Sequence, residues 1–341
     1  MPTNIKLYGF SLLRNGNKYD YPYKECFSAL TELCQETYLA LGDSEDGTED
    51  EIKNFESLKI IPTVWDPSLM GDGGKILSQQ TNVALDTLRK DHQEEGDWGI
   101  YLQTDELLHE KDFEKIKLDI QKAEESGCDA MRFRYYHFWL NHNQIAISKR
   151  WYPQEIRAIK LKSNIQSHGD AQGFKNFEKV YESDVHIFHY GHVRDEEKRE
   201  AKQELLMKMI RPQEKFKKYK KREEKDFHNT ETLPYYGPHP KWMKERLDRF
   251  KDFFRMENKN YVKIYDPRGI IDDDLRSRIA ADYTEIFEKA PPKDSLSLES
   301  TFWHRIGLKK QIPFGMRSSL ARPWSEKQRM EFLLWCHGIS T

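Results

Sequence analysis

Apolar residues in the first third of the chain come in short runs separated by polar turns, and their spacing changes from run to run. Ile5–Leu13 reads as a strand, and Tyr23–Gln35 as a helix with Phe27, Leu30 and Leu33/Cys34 at helical spacing. Thr37–Leu41 is a second strand, ending in the turn Gly42-Asp43-Ser44-Glu45-Asp46-Gly47-Thr48. Glu49–Phe55 reads as a short helix, Lys59–Trp65 as a third strand, and Ile76–Lys90 as a helix after the glycine-rich break at Gly71–Gly74. The apolar run Trp98–Leu102 is a fourth strand and Leu107–Glu125 the helix behind it. Such an order predicts an α/β fold with a largely parallel sheet and helices on both faces.

Past this point the pattern changes. Ala130–Leu140, Gln144–Ser148 and Glu155–Lys160 read as strands of an antiparallel extension, which makes the sheet mixed, and Val185–Tyr190 as one more strand. From Arg194 to about Lys225 the chain is a charged helix with Leu205, Leu206, Met209 and Ile210 on its apolar side. Leu233–Pro240 is a turn-rich linker, and Asp274–Lys289 and Ser325–Cys336 predict a C-terminal helical extension.

Composition narrows the function. A net charge of −2 over 341 residues gives no overall field for nucleic acid. Aromatic residues at 13% argue against disorder despite a mean hydropathy of −0.88. The four cysteines show no CxxC pair and read as reduced thiols. No leader-like apolar stretch opens the chain and no run is long enough to span a bilayer, so the expectation is a cytoplasmic protein. The basic run Lys215–Arg222 has acidic residues interleaved on both sides and reads as a solvated face.

The chemistry sits at the strand ends. There is no GxxxxGK[ST] loop, no GxGxxG after the first strand, no GxSxG elbow and no HExxH helix. What remains are polar residues where apolar strands stop: Arg14-Asn15-Gly16, the Asp43–Thr48 turn, Gln103-Thr104-Asp105-Glu106, and His189-Tyr190-Gly191-His192. In an open α/β sheet, strand C-termini gather at one crevice, and ligands bind there. Carboxylates in that crevice suit ribose hydroxyls, a base N–H, or a divalent cation that itself holds a diphosphate.

Taken together, several segments resemble an inverting glycosyltransferase of the GT-A fold, family-2-like. They are Phe10–Gly16, Gly42–Thr48, Gln103–Glu106, Arg150-Trp151-Tyr152 through Arg157, Asp170–Phe174, and His189-Tyr190-Gly191; His239–Arg246 is similar to the tail of a bacterial subgroup. The resemblance covers about residues 5–195. It implies a Rossmann-like fold, a nucleotide-diphosphate sugar as donor, a hydroxyl acceptor on a glycan, a small molecule or a modified nucleic-acid base, and Mn²⁺ or Mg²⁺ as cofactor. Asp105 matches the last Asp of the family's DxD motif, the metal position, while Gln103 stands where the first Asp belongs; it carries no charge but can accept from the ribose or a metal-bound water. His189 matches a late histidine that completes the metal site, with His192 as its rival. Glu106 either meets the sugar or caps the next helix. Gly42 stands where an Asp is common, so that Asp43 or Asp46 would take the base or ribose, unless Asp46-Gly47 only closes a turn. Arg14 and Lys75 are the nearest cations for the diphosphate, or else surface charges. The implied catalytic base is Asp170, with Glu155 second; Glu155 is equally suited to an ion pair with Arg150 or Arg157. Trp139, Trp151, Tyr152 and Phe174 suit core packing better than sugar stacking.

The expected organisation is a catalytic domain over 1–195, a charged helical segment and linker over 196–258, and a mostly helical region over 259–341. Two other classes compete: a nucleotidyltransferase, which lacks its glycine-rich loop here, and a non-catalytic nucleotide-sugar-binding scaffold, for which Gln103 is the symptom. A phage-like enzyme acting on modified bases would use the Lys215–Arg222 run together with Lys309, Lys310, Arg317 and Arg322.

Overall fold

The computed structural model describes residues 5–142, 144–146, 151–221, 230, 232–235 and 237–249. The predicted helices at Asp274–Lys289 and Ser325–Cys336, the basic residues from Lys309 to Arg322, and Arg150 lie outside them. Four parallel strands form one half of the sheet: β1 (Lys6–Leu13), β2 (Glu36–Gly42), β3 (Leu58–Thr63) and β4 (Asp97–Tyr101), in the order β3-β2-β1-β4. Helices α1 (Tyr23–Leu33), α2 (Thr48–Ile52) and α3 (Lys75–Asp91) make the crossovers. Both faces are covered, as a parallel sheet requires. Successive side chains on β1 point opposite ways, so Leu7 and Leu13 join one core with Phe27 and Leu30 of α1, whereas Tyr8, Phe10 and Leu12 join another with Ile76, Leu85 and Leu88 of α3.

The stretch expected as one helix from Leu107 divides in two. Residues Glu106–Leu108 form a short strand, β5, and helix α4 starts at Phe113 and runs to Glu125. Leu107 and Leu108 are both fully buried, and neighbouring residues can both be buried on a strand covered on each side. The antiparallel extension is present: β6 (Ala130–Trp139) and β4 flank β8 (Gln154–Lys160), each antiparallel to it, and β7 (Gln144–Ala146) continues beyond β6. Residues Gln166–His168 (β9) and Gly173–Lys175 (β10) add a separate hairpin that the residue pattern did not announce. Strand β11 (Val180–His192) is longer than expected, lies parallel to β6, and pairs with β5 antiparallel. The charged helix α5 (Glu196–Ile210) stops at Arg211, because Pro212 lacks an N–H and disfavours helical geometry before it. A short strand, β12 (Thr232–Pro234), pairs with β7, and α6 (Lys244–Arg249) follows. Met209 of α5 lies in the α3-side core, and Arg246 of α6 bonds Asp20 and Glu25, so both segments pack on the sheet domain. None of the described helices is long and apolar enough to cross a membrane.

Buried histidines, His137 and His142 among them, make this body acid-sensitive. Burial holds His137 well below the usual imidazole range and pulls His142 down to about 3, so both stay neutral when folded. Below pH ~6.5 the unfolded chain binds protons that the folded chain does not, so stability falls as the pH falls, and above that value these groups contribute no slope. The expected loss between pH 7.5 and pH 5 is about 2 kcal/mol for each imidazole. Urea midpoints measured at pH 7.5, 6 and 5 check this, and a flat midpoint across that range would contradict it.

Candidate active site

Parallel pairing of β1 with β2 and β4, and of β2 with β3, brings their C-termini to one edge, and three groups of side chains stand there. The first follows β1, β2 and β3. Arg14 donates from Nε to the Asp43 carbonyl at 3.0 Å and from Nη2 to Asp43 Oδ2 at 3.2 Å, and its guanidinium lies 5.3 Å from the Trp65 ring centroid. The glycine at position 42, where an acidic residue was expected, has a steric cause. A Cβ there would lie 2.4 Å from Trp65 Nε1, so the indole occupies the space of the missing side chain. Trp65 is buried, and its Nε1–H has no acceptor among the described residues. An aromatic face, a cation and a half-exposed carboxylate are thus held together at the end of the sheet.

Asp46 is occupied within its turn. It accepts the Lys18 and Thr48 N–H groups at 2.6 and 3.1 Å and the Thr48 hydroxyl at 2.5 Å. Lys75 is exposed and paired with Asp72 at 2.7 Å. The glycines before it do not present their N–H groups to a ligand, because Gly71 and Gly74 donate to the Met209 carbonyl and Gly73 to that of Ile210.

The second group surrounds Asp105, which is 4% exposed beyond β4. The Tyr190 N–H donates to the Asp105 carbonyl at 2.8 Å and brings the end of β11 alongside. Lys202 of α5 donates from Nζ to Asp105 Oδ2 at 2.5 Å and to the Gly191 carbonyl at 3.0 Å. His189 Nε2 is 3.7 Å from the same Oδ2. His137 Nε2 is 2.7 Å from the Tyr152 carbonyl and must donate to it. Its Nδ1 therefore accepts from His189 Nδ1, 2.8 Å away, and turns His189 Nε2 toward Asp105. Burial alone would raise the Asp105 carboxyl, but Lys202 and His189 hold it well below the usual range. For Lys202 burial dominates, and its ammonium is lowered to about 8 in spite of Asp105.

This donor set does not fit a divalent cation. One carboxylate and one imidazole converge; Gln103, in place of the motif's first Asp, donates from Nε2 to the Ala171 carbonyl at 3.3 Å, and the Lys202 ammonium stands against Asp105. Among the described residues no group of three His, Cys, Asp or Glu is placed to hold a metal. Glu106, adjacent in sequence, turns inward. Arg157 donates to both of its oxygens at 2.8 Å, the Tyr135 hydroxyl to Oε1 at 2.9 Å and the Gln103 N–H to Oε2 at 3.1 Å. Both partners are fully buried, so Glu106 neither caps a helix nor faces the crevice.

The third group is the turn of the β9–β10 hairpin. Asp170 is partly exposed, and its Oδ1 accepts the Gln172 N–H at 3.4 Å. The Gln103 bond to Ala171 ties this turn to the end of β4. Gly74, at φ +80°, lets the turn approach, since a Cβ on it would lie 2.6 Å from Asp170 Cβ. Glu155 is buried on β8 beneath Gly173, whose added Cβ would stand 3.4 Å from Glu155 Oε2. Trp139, Trp151 and Phe174 are buried in the core as expected.

Sequence reasoning missed Trp65, Lys202, Arg194 and the role of Arg157. Lys202 left a usable signal, because it lies three, four and seven residues before Leu205, Leu206 and Met209, on the apolar stripe. The others left none.

No protein-family model matches this chain, and no curated protein matches it. Among solved structures it is similar to S. aureus TarS, at 12% identity over 57% of this chain and 38% of that one, with a TM-score of 0.36. It is also similar to S. aureus TarS 1-349 in complex with UDP, at 12% identity over 54% and 60%, with a TM-score of 0.35. HddC from Yersinia pseudotuberculosis is matched at 12% identity over 57% and 96%, with a TM-score of 0.29. The chain spans less than two thirds of the length of the TarS chains. Likenesses this distant assign neither a family nor an activity.

Proposed function

We propose that the chain is a glycosyltransferase of GT-A type that moves a sugar from a nucleotide-diphosphate donor to an acceptor hydroxyl with inversion. The observation that carries this reading is the convergence, at one edge of the sheet, of an aromatic-cationic-acidic group suited to a nucleoside (Arg14, Asp43, Trp65), a buried charged group at Asp105, and a carboxylate on a separate turn (Asp170). The base and ribose would sit by the half-exposed Asp43 carboxylate, beside Arg14 and Trp65. In-line attack requires a base on the acceptor side of the anomeric carbon, and Asp170 fills that role.

Titration with UDP-, GDP-, dTDP- and CMP-sugars, with and without Mn²⁺, tests the donor class. One nucleotide sugar is expected to bind, and Asp43→Ala, which removes the anchor of Arg14, should weaken it by about 10-fold or more, the effect of losing a charge-assisted hydrogen bond. Absence of binding by every nucleotide sugar to the folded protein would overturn the transferase and favour a scaffold. If binding appears only with Mn²⁺, the metal-assisted form implied by the sequence resemblance is the correct one.

A further inference from the structure

Arg194 lies two residues beyond β11 and is 4% exposed, and Lys202, 7% exposed, is on the second turn of α5. Both rest on one aromatic ring: the Arg194 Cζ is 5.1 Å and the Lys202 Nζ 4.9 Å from the Tyr21 ring centroid. Arg194 Nη1 donates to the Tyr19 carbonyl, but its Nε–H and Nη2–H groups, both buried, meet no acceptor among the described residues. Lys202 uses two of its three N–H donors, on Asp105 and Gly191.

The charges do not balance. Asp105 is one carboxylate for two cations, with His189 also turned toward it. Asp20, the next acidic group, is bonded to Arg246 and Arg249. Leaving the Nε–H and Nη2–H groups of a buried guanidinium bare is costly, since they have lost water and gained no acceptor among the described residues. The missing partner is an anion with several acceptor oxygens, and the planar fork of arginine matches phosphate oxygens two at a time.

We propose that Arg194 and Lys202 form a binding site for a diphosphate that needs no metal ion. That the diphosphate is the donor's leaving group rests on the transferase reading above. In that reaction the acceptor oxygen forms a bond to the anomeric carbon and its proton passes to Asp170. The bond from that carbon to the β-phosphate oxygen breaks, and its electron pair leaves on the nucleoside diphosphate. The two fixed cations meet the charge that develops on that oxygen, the task a divalent ion performs elsewhere. The absence of a charged residue at Gln103 is then a consequence rather than a defect, because no metal has to be held.

The experiment is calorimetry of the full chain in EDTA with inorganic pyrophosphate and with UDP, GDP, dTDP and CDP, for wild type, Arg194→Gln, Arg194→Lys and Lys202→Gln, with thermal melts alongside. Pyrophosphate should bind wild type without metal and weaken by roughly 10- to 100-fold in Arg194→Gln, as loss of charge-assisted hydrogen bonds dictates. Arg194→Lys should recover part of that loss, and the Arg194→Gln melt should not fall, since a purely structural arginine would lower it. Failure of pyrophosphate and every nucleotide to bind in EDTA, with nucleotide-sugar binding restored by Mn²⁺, overturns the metal-free site and leaves the transferase intact. Pyrophosphate binding that Arg194→Gln abolishes, with no nucleotide sugar bound under any condition, keeps the anion site and overturns the transferase. Pyrophosphate binding of equal strength in wild type and Arg194→Gln overturns the assignment to Arg194.

Discussion

Replacing Asp170 by Asn should lower kcat by roughly 10²- to 10⁴-fold while donor binding stays within a factor of a few, the range general-base catalysis supplies. A base needs an available lone pair and room for the acceptor beside it. Among the carboxylates at this edge, Asp170 meets both conditions. It is partly exposed, one oxygen accepts only the long 3.4 Å bond from Gln172, and the other accepts none among the described residues. Its position is nevertheless fixed, by Gln103 on the Ala171 carbonyl and by the backbone of Gly74 against its Cβ. Glu155 is buried on a strand and Asp105 is neutralised by Lys202, so neither is free to approach a hydroxyl. Single-turnover measurements with the donor found in the titration check this expectation. If Asp170→Asn keeps most of its rate and Glu155→Gln loses it, the roles are reversed.

The second large effect concerns stability. Arg157→Met should destabilise the protein by about 3–5 kcal/mol, the cost of leaving one member of a buried ion pair without its partner. Arg157 and Glu106 are both fully buried, and the pair joins β8 to the start of β5. The same carboxylate fixes the Gln103 N–H and the Tyr135 hydroxyl, and Arg157 also donates to the Gln172 carbonyl at 2.8 Å. One pair therefore shapes the turn that presents Asp105 and steadies the turn that carries Asp170. The double variant Glu106→Leu/Arg157→Met should lose less than the sum of the two single variants, because it leaves no bare charge. Equilibrium urea unfolding of the set measures both quantities. A loss below about 1 kcal/mol for Arg157→Met would show that water or a rearranged partner replaces the pair. A normal midpoint with a collapsed rate for Glu106→Gln would return Glu106 to the donor site.

The sheet half of this protein was legible in its sequence, because burial on both faces leaves a local mark. Ile5–Leu13, Thr37–Leu41 and Trp98–Leu102 are apolar runs bounded by turn residues, and each is a parallel strand within a residue or two of the expected ends. The polar residues at their C-termini were equally visible, since chain direction alone places Arg14, Asp43 and Asp105 at one edge once the strands are parallel. What each of those residues does was decided by partners distant in sequence. Asp105 meets a lysine 97 positions away, and Glu106 an arginine 51 away. Gly42 is explained by an indole that folds over it from beyond β3. Lys202 sits in a helix crowded with lysine and glutamate, where only its line with Leu205 and Met209 separates it from solvated neighbours. Hydrophobic periodicity records which face of an element is buried, and it therefore fixed the α/β layout. Which buried charge finds which partner depends on how the layers close, and that the tertiary structure alone determined.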